Sequence, residues 1–238
     1  MKAFERWLGL VLLAAVGLQL FFVLRIALMV VVAPESTTFQ RSEMWQQWKD
    51  GAERPWQQHW VDYGQISDHL KRAVLTSEDD QFVEHNGVQW DAIERAMQRN
   101  AKEEHRAARQ QATRPARVFG GSTITQQLAK NLLLSGERNM LRKGQELVLA
   151  HLLELMLNKQ RILEIYLNNV EWGNGIFGAE AAAQHYFGKS AARLAPAEAA
   201  RLAVMLPNPR HFEANPRSPY LNQRSSAIQR RMAATPLP

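Results

Sequence analysis

The sequence predicts a mainly α-helical domain carried behind one membrane-spanning helix. Residues 8–33 hold only two strongly polar side chains, Gln19 and Arg25. Beyond residue 65, apolar residues recur at helical spacing, and alternating β patterns are almost absent. Glycines and prolines punctuate the helical stretches where turns are needed.

Composition sets the outer limits. The chain has 238 residues, 29 Lys+Arg, 23 Asp+Glu and no cysteine. That length suits one domain with an appendage. The missing cysteines exclude a disulfide scaffold, thiolate metal sites and a cysteine nucleophile. Mean hydropathy is −0.34, so the bulk is water-soluble. Residues 34–238 carry 26 basic and 22 acidic groups, a net +4. This excess suits anionic head groups or phosphorylated substrates at a bilayer. It is too small to indicate nucleic acid.

The first segment reads as an anchor. Twenty-six residues at about 1.5 Å each reach roughly 39 Å, more than a bilayer's hydrocarbon core. A cleaved leader would have a shorter apolar run and a small-x-small exit. Val31-Val32-Ala33 does not provide that exit. Lys2 and Arg6 precede the span, which places Met1 in the cytoplasm, although Arg41 and Lys49 follow soon after it. Arg25 can snorkel toward the outer interface. The expected division is 1–34 for stub and anchor and 35–238 for the domain.

Residues 34–64 are polar with scattered Trp45, Trp48, Trp56 and Trp60, expected as interface or packing aromatics. Ile66, Leu70, Ala73 and Val74 share one face of a helix over 66–77. Trp90, Ile93 and Met97 continue helical spacing after Gly87. Residues 95–117 carry seven cations against Glu103 and Glu104. That run suits a solvated helix face, a loop, or attraction to lipid phosphates. Ser122 can cap a helix reaching residue 134. Residues 142–160 are apolar all round, which predicts a central buried helix. A short helix is expected over 162–168, a glycine loop at Gly173, Gly175 and Gly178, and helices over 179–187 and 196–206. Six of the ten prolines lie from residue 207 onward, which reads as an irregular tail.

Three stretches can carry chemistry. Glu78-Asp79-Asp80 ends a helix before a glycine turn, and clustered or buried carboxylates have raised pKa values suited to general acid or base work. Taken alone, the stretch also fits a solvated acidic turn. Gly120-Gly121-Ser122-Thr123-Ile124-Thr125-Gln126-Gln127 exposes backbone N–H groups at a helix start, which can cradle phosphate or sugar oxygens. It lacks the Gly-Lys-Ser/Thr of a nucleotide loop. Arg142 and Glu146 lie one turn apart, which fits an exposed ion pair or a carboxylate held among phosphate-binding cations. Lys130 and Arg138 add positive charge nearby. His151 and Glu154 lack dedicated metal-ligand spacing, and no Ser/His/Asp triad signature is present.

In order, the chain carries Glu78-Asp79-x-x-Phe82-x-x-His85-x-Gly87, then Gly120 to Gln127, then Arg142-Lys143-x-x-Glu146. Lys159-x-x-Ile162-Leu163-Glu164-x-Tyr166-Leu167-Asn168 follows, then Glu198-x-Ala200-x-Leu202-Ala203 leading to Leu206-Pro207. This series resembles the peptidoglycan glycosyltransferase family, the module at the head of class A penicillin-binding proteins. It covers residues 60–215. The stretch 95–119 is longer and more basic than the family's usual link between its first two motifs. The length left over has no room for a transpeptidase domain, so the expectation is the stand-alone form.

The resemblance implies a lysozyme-like helical glycosyltransferase fold and polymerisation of lipid II, with inversion, a new β-1,4 link and release of polyprenyl diphosphate. It assigns Glu78 as the base and Glu146 as the second catalytic carboxylate. Asp79, Phe82, Ser122, Gln126, Gln127, Lys130, Arg138, Arg142 and Lys143 become substrate-binding residues. No cofactor is required and no residue is assigned to metal, although a divalent cation (Mg or Mn) can assist. The implied partners are lipid II, the growing glycan, membrane lipids and other cell-wall synthesis or division proteins, at a bacterial inner membrane with the domain in the periplasm. Two other readings share parts of the pattern: a lysozyme-like glycan-cleaving enzyme and a non-catalytic anchored scaffold. The cations from Lys130 to Lys143 favour diphosphate chemistry over the first. The scaffold predicts that Glu78 and Glu146 are both replaceable.

Overall fold

The structure is a computed structural model that describes residues 2–34, 36–49, 51, 56–109, 120–134 and 139–238. It is mainly α. The order is α1 (Lys2–Leu28), α2 (Thr38–Lys49), β1 (Gln57–Gln58), α3 (Asp68–Glu78), α4 (Trp90–Arg109), α5 (Ile124–Leu133) and α6 (Met140–Met156). There follow α7 (Lys159–Asn169), β2 (Glu171–Gly173), β3 (Ile176–Phe177), α8 (Ala179–Phe187), α9 (Pro196–Met205), α10 (Pro209–Ala214) and α11 (Pro219–Arg231).

Helix α1 is long and apolar enough to cross a membrane. It stops at Leu28, and turns rather than helix carry the chain through residues 29–32. Most of it is exposed, but Phe22, Ile26 and Met29 are buried against the domain. The core around them is built on α7, where Ile162, Leu163, Ile165, Tyr166 and Leu167 are all buried, with Trp172 beside them. Helix α3 packs on α9, whose Ala199, Ala200 and Ala203 allow close approach.

Several sequence expectations are corrected. Residues 142–160 do not form one helix: Asn158 takes extended backbone angles and its side chain accepts from Arg161 N, so α6 ends at Met156 and α7 starts anew. Nor is α6 buried all round, because Met140, Leu141, Val148 and Leu155 are exposed. The N-cap of α5 is Thr123, not Ser122. Its Oγ1 accepts from Gln126 N while Gln126 Oε1 accepts from Thr123 N, a reciprocal pair that satisfies both. The glycine loop contains β2 and β3, which join β1 in a three-stranded sheet of order β1-β3-β2. β1 runs parallel to β3 with Gln57 opposite Ile176, and β2 is antiparallel to it.

The proline-rich end is not an irregular tail. Pro209 and Pro219 sit in the first turns of α10 and α11, where a missing N–H is harmless. Trp90 and Met97 point outward from α4, and Ala96 is its buried residue. Gly121 packs against the backbone of the same helix one turn before Ala96: a Cβ there would lie 2.8 Å from Ala92 O and 2.9 Å from Ile93 Cα. Among the tryptophans, Trp56 packs on Phe177 and Trp60 lies beneath Arg161, whereas Trp45 and Trp48 stack on each other at the surface of α2.

Candidate active site

Helix α3 delivers Glu78 as its last residue, half-buried at the boundary of two polar cavities. One cavity, about 410 Å³, is lined by Glu78, Ser122, Gln126, Gln127, Lys130, Arg142, Lys143 and Glu146. The other, about 470 Å³, includes Glu78, Asp80, Ser122, Arg95, Arg99, Arg224 and Arg231. Glu78 and Ser122 belong to both walls.

A chain of hydrogen bonds orients Glu78. Its Oε2 accepts from Gln127 Nε2 at 3.1 Å, and Gln127 Oε1 accepts from the Tyr166 hydroxyl at 3.0 Å. Ser77 Oγ donates to the other oxygen at 3.3 Å. Burial pushes the Glu78 carboxyl above the usual carboxylate range, against the hydrogen bonds from Gln127 and Ser77 and the charge of Arg224; the Asp79 charge adds to the rise. Burial, then the charges of Glu78 and Asp79, keep the Tyr166 phenol protonated.

Asp79 has a different position from its neighbour. It caps α3, is buried, and its Oδ2 accepts from Ile124 N at 2.9 Å. Its Oδ1 lies 2.8 Å from His85 Nε2. Gly87 N donates to His85 Nδ1 at 3.2 Å, which leaves Nε2 as the protonated nitrogen facing Asp79. Asp79 therefore joins the end of α3 to the start of α5. A carboxylate at the positive end of a helix is favourable, and this one occupies the N-terminus that the sequence offered as an anion cradle. Phe82 is buried as well, with Lys159 Nζ 4.4 Å above its ring. Lys159 also donates to His85 O at 2.6 Å and Glu154 at 2.8 Å, and Glu154 accepts from Thr125 Oγ1 at 2.6 Å. Phe82, assigned to substrate by the resemblance, thus sits behind the cleft, whereas Asp79 lines the larger cavity with both its oxygens bound to the neighbouring motifs.

On the far wall Asn139 caps α6 by accepting from Arg142 N at 2.7 Å. Glu146 is buried one turn later, 3.0 Å from Arg142 Nη1 and in contact with Lys143 Nζ. Lys143 Nζ also lies 3.5 Å from Ser122 Oγ, so the third motif closes onto the second. Gln126 Nε2 and Arg142 Nε are buried without a partner among the described residues. Both residues line the smaller cavity, where oxygens of a bound molecule would satisfy such donors. Lys130 lines the same cavity from an exposed position. Arg138 lies outside the described residues, as do Arg114 and Arg117 of the basic stretch.

The structure brings Glu78, Ser122, Gln126, Gln127, Lys130, Arg142, Lys143 and Glu146 to one cavity. Sequence reasoning missed Arg224 and Arg231. Their signal was present: they are seven residues apart, on one face of a helix that opens with proline. It also gave Tyr166 no role. Arg95 and Arg99, read only as part of a charge run, reach the larger cavity.

The donors do not fit a resident divalent ion. Glu146 is engaged by two cations, and both oxygens of Asp79 are taken. Among the described residues no group of three His, Cys, Asp or Glu side chains is placed to hold a metal.

Comparison with known proteins agrees with this arrangement. A family model described as Transglycosylase matches residues 43–233. The chain is 48% identical over 237 residues to the biosynthetic peptidoglycan transglycosylase of Paraburkholderia xenovorans (strain LB400), covering 98% of this chain and 94% of the relative. It is 49% identical over 233 residues to the protein of the same name from Janthinobacterium sp. (strain Marseille), covering 98% and 96%. The Bordetella pertussis (strain Tohama I / ATCC BAA-589 / NCTC 13251) protein of that name is 50% identical over 205 residues, covering 86% and 82%. With its matching motifs gathered around Glu78, the chain belongs to the transglycosylase family.

Proposed function

We propose that this chain is an anchored glycosyltransferase that polymerises lipid II into linear peptidoglycan strands. The observation that carries the reading is the place of Glu78: a partly desolvated carboxylate on the wall between two cation-lined cavities.

A sugar hydroxyl is a weak nucleophile at neutral pH, so its proton must leave as it attacks. In this reading the acceptor occupies the larger cavity, with its diphosphate near Arg95, Arg99, Arg224 and Arg231. Glu78 takes the proton of the acceptor 4-hydroxyl, and that oxygen bonds to the anomeric carbon of the donor. The donor's bond to its diphosphate breaks from the opposite side, which inverts the centre and gives the β-1,4 link. The proton on Glu78 then passes to water. Negative charge develops on the departing diphosphate, and Lys130, Arg142 and Lys143 are placed to absorb it. Glu146 holds Arg142 and Lys143 in that orientation. Arg138 is assigned to the same task by the family's pattern alone. These side chains supply the positive charge.

The anchor fits the substrate, whose polyprenyl tail stays in the bilayer. Lys2 and Arg6 put the N-terminus inside and residues 35–238 on the outer, periplasmic side of the bacterial inner membrane. Other proteins of wall synthesis and division are natural neighbours there.

The test is to incubate the full-length protein with lipid II and size the product. Long glycan is expected from the wild type, and polymerisation slowed by about 10²–10⁴-fold from Glu78→Gln. Soluble fragments released from purified wall, without polymer from lipid II, would support the glycan-cleaving reading instead. Normal polymerisation by Glu78→Gln would remove Glu78 from the role of base.

A further inference from the structure

Beyond the last turn of α1 the chain brings two arginines together. Arg25 Nη2 donates to Ser36 O at 3.5 Å, and Arg41 Nη1 donates to the same carbonyl at 3.3 Å. Arg41 also donates to Ser36 Oγ at 3.0 Å and to Thr38 Oγ1 at 3.1 Å. Every one of these acceptors is neutral, and among the described residues neither guanidinium forms an ion pair. Two cations that share one carbonyl repel each other, and an anion between them relieves that repulsion. They border a pocket of about 260 Å³ whose other walls include Leu28, Met29 and Val32. Two cations beside apolar walls match a phosphate carried on a lipid.

The height of the pair fits as well. Between Arg6 and Arg25 lie eighteen uncharged residues. At 1.5 Å each they span about 27 Å, close to the thickness of a hydrocarbon core. With Arg6 at one surface, Arg25 reaches the head groups of the other. Arginine suits a phosphate there because its planar fork offers paired donors.

We propose that Arg25 and Arg41 form a binding site for the phosphate of an anionic phospholipid in the leaflet facing the domain. The proposal rests on the anchor reading. Such a lipid would fix the tilt of the domain against the bilayer, and so the height of the cleft above it.

The test uses full-length protein in nanodiscs of equal parts phosphatidylglycerol and phosphatidylcholine, released and analysed by native mass spectrometry. Wild type is expected to retain phosphatidylglycerol in excess. Arg25→Gln and Arg41→Gln should each cut that excess about fivefold, the effect of one cation near a charged surface. Arg41→Lys should keep most of it. Glu35→Gln, which removes the one acidic residue between the two arginines in the chain, should not lower it. Inorganic phosphate should leave the adducts in place. Equal retention by wild type and the double glutamine variant would overturn the proposal. Displacement by inorganic phosphate would reassign the pair to a free anion, and displacement by a polyprenyl diphosphate would reassign it to substrate; either result also overturns it. Resistance of each variant to carbonate extraction separates the two readings. Protein that washes off the membrane defeats the anchor, and firmly inserted protein without lipid preference defeats this site alone.

Discussion

The hydrogen-bond chain from Tyr166 through Gln127 to Glu78 makes a buried phenol a determinant of the pH profile. Tyr166→Phe removes one oxygen from a well-packed position and leaves the ring in place. Gln127 Oε1 then loses its donor, and the amide is no longer held with Nε2 toward Glu78. A lost hydrogen bond of this kind is worth about 1 kcal/mol, or roughly a fivefold change in rate if the transition state bears all of it. The bond from Gln127 lowers the Glu78 pKa, so weakening it raises that pKa further. In a polymerisation assay with fluorescent lipid II, kcat should fall about fivefold with little change in KM. The acidic limb of the rate profile should move to higher pH. Gln127→Ala should do the same more strongly, and the double variant should be no worse than Gln127→Ala, since both act through one chain. Variants that are slower but keep the wild-type acidic limb would refute the relay and leave Tyr166 as a packing residue.

Other outcomes follow from the same geometry. Glu78→Gln should slow polymerisation by about 10²–10⁴-fold and yet raise the melting temperature at neutral pH. The folded-state pKa of Glu78 lies above its unfolded value, so the native state binds that proton more tightly, and wild-type stability falls as pH rises through the folded pKa. The gap between variant and wild type should close in acid; a variant less stable than wild type at neutral pH contradicts the burial argument. Chelation with EDTA should leave most of the activity, because Lys130, Arg142 and Lys143 supply the charge at the leaving group; complete loss restored by Mg would show that an ion shares that work. Deleting residues 1–33 should give a soluble but less stable domain, since Phe22, Ile26 and Met29 are buried against it. An unchanged melting temperature would mean that this packing contributes nothing.

The sequence made the helix-borne motifs legible for a physical reason. Apolar spacing locates the helices but not their caps: Thr123, not Ser122, caps α5, and Asn158 starts α7 inside what reads as one helix. Distinguishing adjacent carboxylates was beyond it. Glu78 and Asp79 are neighbours in sequence, but the final residue of a helix and its cap point in different directions, one to the cleft and one to the start of α5. Proline was misread in the last 32 residues because its meaning is positional. It breaks a helix interior but suits a first turn, and that error hid Arg224 and Arg231. Periodicity placed α4 but not its buried side. Trp90 and Met97 outweigh Ala96 in hydrophobicity, yet Ala96 is the one that is buried and both large side chains are exposed.

The packing of α1 on α6 connects the anchor to the chemistry. Gln19 and Gln145 exchange side-chain hydrogen bonds at 3.1 and 3.2 Å. Further toward their C-terminal ends, Val30, just past the end of α1, and Met156, the last residue of α6, line one pocket. Two helices that meet at two such places run side by side in one direction. Arg142 and Lys143 stand in the first turn of α6, the helix that packs on α1. Leu141, Val148 and Leu155 repeat every seven residues on α6 and are exposed, an apolar stripe that lipid would cover. A domain that stood clear of the membrane would leave that stripe in water and would require the polyprenyl diphosphate to be pulled outward. With α6 packed beside the anchor, the cations of the smaller cavity stay close to the membrane that holds the polyprenyl tail. Glu78 then needs to reach only the sugar above.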